Sequence, residues 1–128
     1  MQNKIFDLVA AIAEGNKRQA LAYYDDLILL KEPPMRILFL IVRQYRILLL
    51  IANMRGLHKP DKDIAQAAGI PVFAIRKNAV QLRGYTMSSL EHCIASCMQI
   101  EEEVKTGRIG DQIGLETLIV GLSERIGI

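Results

Sequence analysis

Apolar residues recur along this chain every three or four positions, the period of a helix with one face turned inward. Ile5, Phe6, Val9, Ile12 and Ala13 fall on one stripe, which predicts a helix from about Asn3 to Glu14 ended by Gly15. Asn16 is the expected N-cap of a second helix reaching about Lys31, in which Ala20, Leu21, Tyr24, Leu27, Ile28 and Lys31 keep the same spacing. Pro33 and Pro34 stop that helix and open a third, because proline is tolerated in a first turn.

The third helix, from about Pro34 to Arg55, is apolar on nearly every face, as a helix surrounded by others should be. Its polar residues Arg36, Arg43, Gln44 and Arg46 are expected to mark where it reaches water or a partner. After a break at Gly56–Pro60, Asp61 is the expected cap of a short helix, Lys62–Ala68. Gly69 turns the chain, and Pro71 starts a helix to about Arg83 that Gly84 ends. Thr86 caps a helix to Lys105, with Ser89 where a full capping box has Glu. A turn over Gly107–Gly110 leads to a last helix capped by Asp111, with Ile113, Leu115, Leu118, Ile119 and Leu122 as its apolar positions. No strand signal, internal repeat or low-complexity tract interrupts the series. The pattern predicts an all-α fold, a single compact bundle of six or seven helices.

Composition agrees. Leu and Ile supply 33 of 128 residues and aromatics only 5%, with no Trp. A chain this long has room for one core, and its apolar content excludes disorder. The net charge of +2 demands neither nucleic acid nor an anionic membrane as partner. That charge is unevenly placed. Residues 1–54 carry net +2, residues 55–84 carry six basic against two acidic, and residues 85–128 carry three basic against seven acidic. A basic middle and an acidic tail suit a body whose faces meet differently charged neighbours.

The N-terminal segment has Asp7 inside its apolar part and does not read as a signal peptide. Ile37–Met54 is apolar enough to suggest a membrane span, but Arg43 and Arg46 would each cost about 2.5–3.5 kcal/mol there, so a buried central helix is expected and no membrane contact. With Cys93 and Cys97 the only cysteines, a disulfide scaffold is excluded and a reducing, cytoplasmic setting follows.

Candidate chemistry is sparse. Lys105-Thr-Gly lacks the upstream glycines of a phosphate loop and reads as a helix end. Cys93 and Cys97 share a helix face at i, i+4, but His92 points elsewhere and His58 is distant, so no metal site is expected and the cysteines pack. No Ser, His and acid fall into a nucleophilic order, and Glu101–Glu103 is a solvated acidic stretch. Catalytic residues, cofactors and metals are therefore all expected to be absent.

The strongest local pattern spans residues 61–83. Ala65, Gly69 and Ile75 have helix-turn-helix spacing: a small residue where two helices touch, a glycine in the turn, an apolar anchor below. Yet the positions that would read bases are Pro71, Val72 and Phe73, which offer no bidentate donors or acceptors. Asp61 and Asp63 would also face phosphates. The motif reads as structural, and a helix-turn-helix DNA-binding protein using residues 61–83 stands as the alternative.

The order of elements carries a resemblance. Ala20-Leu-Ala-Tyr-Tyr-Asp-Asp-Leu, the Glu32-Pro-Pro turn, Ile41-Val-Arg-Gln-Tyr-Arg-Ile-Leu-Leu, Ile64-Ala-Gln-Ala-Ala-Gly-Ile-Pro, the Arg76-Lys77 pair, Gln81-Leu-Arg-Gly-Tyr-Thr and Glu103-Val-Lys-Thr-Gly together resemble the C-terminal domain of the bacterial DNA polymerase III delta subunit, over about Ile5 to Leu122. The resemblance implies one helical collar domain over residues 1–128, with the family's AAA+-like and clamp-binding domains lying outside this chain. It implies assembly with the motor (gamma/tau) and delta-prime subunits of the clamp loader in a five-membered ring. The sliding clamp would be met only through the absent N-terminal domain, and DNA at most weakly or indirectly. It further implies a non-ATPase subunit of the DNA-directed DNA polymerase (nucleotidyltransferase) holoenzyme, in DNA replication. Arg43 and Arg46, set in an apolar helix, and Lys59, Lys62, Arg76 and Lys77 of the basic segment are the candidate interface or charge-patch residues.

Overall fold

The computed structural model describes residues 2–126, which form seven α-helices, one 3-10 turn and no strand. The helices are α1 Gln2–Ala13, α2 Lys17–Leu29, α3 Pro34–Gly56, α4 Asp61–Ala68, α5 Val72–Gln81, α6 Met87–Lys105 and α7 Asp111–Ile126. Helix α3 is the axis of the fold and packs against α1, α4, α5, α6 and α7. Helix α2 closes the bundle against α1 and α7.

Two apolar clusters result. The larger joins Leu8 and Ile12 of α1, Tyr24 and Leu27 of α2, Ile37, Leu38, Ile41 and Leu48 of α3, Leu90 and Cys97 of α6, and Leu115 and Ile119 of α7. The smaller joins Ile47 and Ile51 of α3 to Ile64, Ala65 and Ile75. Each fully buried Leu or Ile stabilises the fold by about 1.5–3 kcal/mol relative to exposure. The smaller cluster explains the helix-turn-helix spacing: Ala65 and Ile75 are buried where α4 and α5 meet α3, and Gly69 takes φ +70° in the turn.

Helix ends follow from backbone hydrogen bonding. The Asn16 side chain accepts from Gln19 N at 3.1 Å, as a cap should. Thr86 and Ser89 form a complete reciprocal capping box even though no Glu is present. Ser89 N donates to Thr86 Oγ1 at 3.0 Å, and Thr86 N donates to Ser89 Oγ at 2.7 Å. A serine hydroxyl reaches the N-cap amide as well as a carboxylate does.

Several expectations are corrected. Helix α2 stops at Leu29, because Lys31 turns left-handed at φ 63°, with Lys31 N donating to Ile28 O and Glu32 N to Leu27 O. Lys31 thus extends no apolar stripe. Prolines 60 and 71, in extended backbone, hold the cap positions of α4 and α5, and Asp61 lies in the first turn, where it meets Arg55 at 3.7 Å. Helix α5 ends at Gln81 and tightens into a 3-10 turn, Leu82–Gly84. Asp111 is the first residue of α7, its Oδ1 accepting from Gln112 N at 2.7 Å, and Ile113, expected inside, is 62% exposed.

Candidate interaction face

Helix α3 is not covered all round. Arg36, Phe39, Arg43, Arg46, Leu50 and Asn53 form a stripe of exposed or half-buried residues along it, at successive spacings of three and four. The neighbouring positions Ile37, Leu40, Ile41, Gln44, Ile47, Leu48 and Ile51 are buried. A 3–4 spacing sustained over five turns drifts little around a helix, so the stripe runs nearly straight.

Two clefts open onto this stripe, one on each side of Arg43. The first, of about 390 Å³, lies between α1, α3 and α5, with Ile5, Leu40, Ile47 and Phe73 as apolar walls and Arg43 and Lys77 as its cations. The second, of about 280 Å³, lies between α3 and α4 and takes in Phe39, Arg43, Arg46 and Leu50. No carboxylate lines either cleft. Among the described residues neither Arg43 nor Arg46 has a carboxylate within 4.0 Å, whereas Lys4, Lys17, Arg55 and Lys105 each do. The aromatic residues beside these cations are uncovered: Phe39 is 59% exposed and Phe73 83%.

The floor of the first cleft is a closed amide network. Gln44 Nε2 donates to Asn78 Oδ1 at 2.8 Å and to Gln81 Oε1 at 2.9 Å. Asn78 Nδ2 donates to Ala74 O at 2.9 Å, and Gln81 Nε2 to Phe6 O at 3.0 Å. Gln44 is therefore buried and spends its amide donors inside the chain, where a surface position was expected. It ties α3 to α5 and, through Gln81, to α1. Because every amide is satisfied, the network orders the cleft rather than destabilising it. Lys77 is held at the rim with its ammonium 4.4 Å from the Phe6 ring centre.

The structure thus gathers Arg43, Arg46 and Lys77 around one stripe. Lys59, in the turn after α3, Lys62, in the first turn of α4, and Arg76, on α5, are all exposed but line neither cleft. Sequence reasoning missed Phe39 and Phe73. Phe39 lies four residues before Arg43, so the heptad phase of the two arginines marks it, but an aromatic in an apolar run reads as core. Phe73 carries no such signal.

Elsewhere the surface changes sign. A shallow groove between α2 and α7 is lined by Leu21, Asp25, Glu116, Thr117 and Val120. Among the described residues no three His, Cys, Asp or Glu side chains converge on a point. Burial, with Cys93 beside it, pushes the Cys97 thiol up to about 12, a group kept protonated inside the core. Helix α3 is long and apolar enough to cross a membrane, but most of its apolar positions pack in the two clusters.

Comparison with known proteins matches this architecture. The model of the family described as DNA polymerase III delta subunit, C-terminal domain, matches residues 2–122. DNA polymerase III subunit delta of Bacillus subtilis (strain 168) is 26% identical over 125 residues, covering 98% of this chain and 36% of that protein. The solved structure of the Bacillus subtilis DNA clamp loader delta protein (YqeN) is similar with a TM-score of 0.88 and 26% identity, over 97% of this chain and 37% of that one. The chain therefore spans little more than a third of the length of these relatives. The family match runs unbroken through residues 61–83, and the first residues of α5 present exposed Val72 and Phe73, so the helix-turn-helix DNA-binding alternative is not supported.

Proposed function

The chain belongs to the family formed by the C-terminal domains of DNA polymerase III delta subunits, and on that premise we propose that it acts as a collar, holding a clamp-loader delta subunit to the motor and delta-prime subunits in DNA replication. Its work is assembly through helix packing, with no reaction of its own and no role in opening the sliding clamp. The observation that carries this reading is the match of family and fold along nearly the whole chain, with an uncovered stripe on its central helix.

Charge supports it. A collar meets a neighbour on each side, and this one sets its basic segment and its acidic segment on different helices. Arg43, Arg46, Lys59, Lys62, Arg76 and Lys77 are the residues we assign to contacts between subunits. DNA contact would be weak and governed by salt, since no base-reading side chain opens α5. A cytoplasmic setting follows from replication and suits two buried cysteines that form no disulfide.

The test is a pull-down of the 128-residue chain with purified motor and delta-prime subunits of the same organism, repeated with labelled duplex DNA. Incorporation into the complex, with only salt-sensitive DNA binding, is expected. Neutralising Lys59, Lys62, Arg76 and Lys77 together should weaken assembly and flatten its salt dependence. Tight, sequence-dependent DNA binding without association with those partners would overturn the reading.

A further inference from the structure

The α3 stripe has three properties that specify what covers it. The first is unmet charge. Arg43 is half-buried between apolar walls, and among the described residues no carboxylate stands within 4.0 Å of it or of Arg46. A guanidinium partly withdrawn from water is stabilised by an opposite charge with matching hydrogen-bond geometry, and a carboxylate supplies both. The second is composition. Phe39 and Phe73 stand uncovered beside these arginines, and aromatic residues with Arg are the types concentrated at the centres of protein interfaces. The third is shape. Phe39, Arg43, Arg46 and Leu50 make a straight line of about 16 Å along α3, flanked by two clefts, and such a ridge with grooves is what a second helix packs along.

Resting on the assembly reading above, we propose that the Phe39–Arg43–Arg46–Leu50 stripe, with Phe73 and Lys77, is the seat of an acidic amphipathic helix from a neighbouring clamp-loader subunit. Its carboxylates, three or four residues apart, pair with Arg43 and Arg46, and its apolar side chains enter the clefts against Phe39 and Phe73. The occupant is a different subunit and not a second copy. This chain's own acidic groove lies between α2 and α7, so copies would join head to tail, a heterologous contact that closes only at a particular rotation. Lys77, already held over the Phe6 ring, marks the edge of the contact rather than its centre.

The test uses the same assembly with motor and delta-prime subunits. Arg43→Glu and Phe73→Ser each change a side chain outside both apolar clusters, and thermal unfolding confirms that the variants fold. Each should weaken incorporation about tenfold or more, and Arg43→Glu should also reduce its salt dependence. Lys17→Glu, at a cation that lines neither cleft, should leave incorporation within about twofold. Arg43→Lys, treated with a carbodiimide in the assembled complex, should form an amide from residue 43 to an Asp or Glu of a neighbouring subunit. If wild type incorporates and both variants match it, this inference falls and the assembly reading stands. Coupling of residue 43 only to a second copy of this chain, or loss of duplex DNA binding with assembly intact, also overturns it. If wild type itself fails to incorporate, both readings fall together.

Discussion

Gly84 and Ala13 meet where the 3-10 turn crosses the end of α1, so closely that a Cβ on Gly84 would stand 2.7 Å from the Cβ of Ala13. Neither atom belongs to a flexible side chain, so relief requires the turn and the helix to move apart. Gly84→Ala should therefore destabilise the fold by about 1–3 kcal/mol. Ala13→Gly in the same chain should recover most of that loss, and urea unfolding of the four forms of this double-mutant cycle measures the coupling.

The amide network under the first cleft gives the opposite kind of prediction, a loss of satisfaction rather than of space. Gln44→Leu removes the donor to Asn78 Oδ1 and Gln81 Oε1 and leaves two buried oxygens without it. A cost of about 1–3 kcal/mol is expected. Amide exchange measured by NMR should show α5 opening more readily relative to α6, because Gln44 ties α5 to α3.

Two helices end on residues poorly suited to the conformation they hold. Lys31 and His58 sit at φ 63° and 59°, each closing its helix with bonds back to the last turn, while Gly15, Gly69 and Gly107 do the same without a Cβ. Lys31→Gly and His58→Gly should each stabilise the chain by about 0.5–1 kcal/mol. Chemical denaturation midpoints with unchanged slope check this, and a fall in stability would mean that these side chains make contacts outweighing the strain.

Alkaline solution should destabilise the protein, beginning at its core thiol. Burial pushes Cys97 up to about 12 from an ordinary 9.0, so above pH 9 the unfolded chain gives up a proton that the folded chain retains. Stability is full below that point and falls as pH rises towards 12, by at most about 1.4 kcal/mol per pH unit for this group. Tyr24, pushed up to about 12 chiefly by burial, adds to the slope above pH 10. Thermal unfolding between pH 8 and pH 11 should show the decline, and Cys97→Ala should remove the portion that begins near pH 9.

Much of this was legible in one dimension. Most of the helices declare themselves because each buries one stripe, written every three or four residues, while α3 declares itself by an apolar run too long for anything but a surrounded helix. Gly15, Gly69 and Asn16 mark their ends through backbone chemistry that acts within a few residues. Ala65, Gly69 and Ile75 took the places their spacing assigns them, since contact between two helices joined by a short turn is nearly local.

Other features depend on distant neighbours. Gln44 and Arg43 are adjacent polar residues in the same apolar helix, and nothing in the sequence separates them. Packing of α5 from 34 residues away turns Gln44 into a buried link to Asn78, while Arg43 is left between two clefts without a carboxylate. Phe39 reads as core in sequence, and it is exposed because no helix among the described residues covers it. Helix positions and the face most helices bury follow from helical period and end chemistry, which act over a few residues. Which side of α3 stays open, and which polar groups find partners within the chain, follows from packing between distant segments. Those outcomes depend on how seven helices divide a limited surface among themselves.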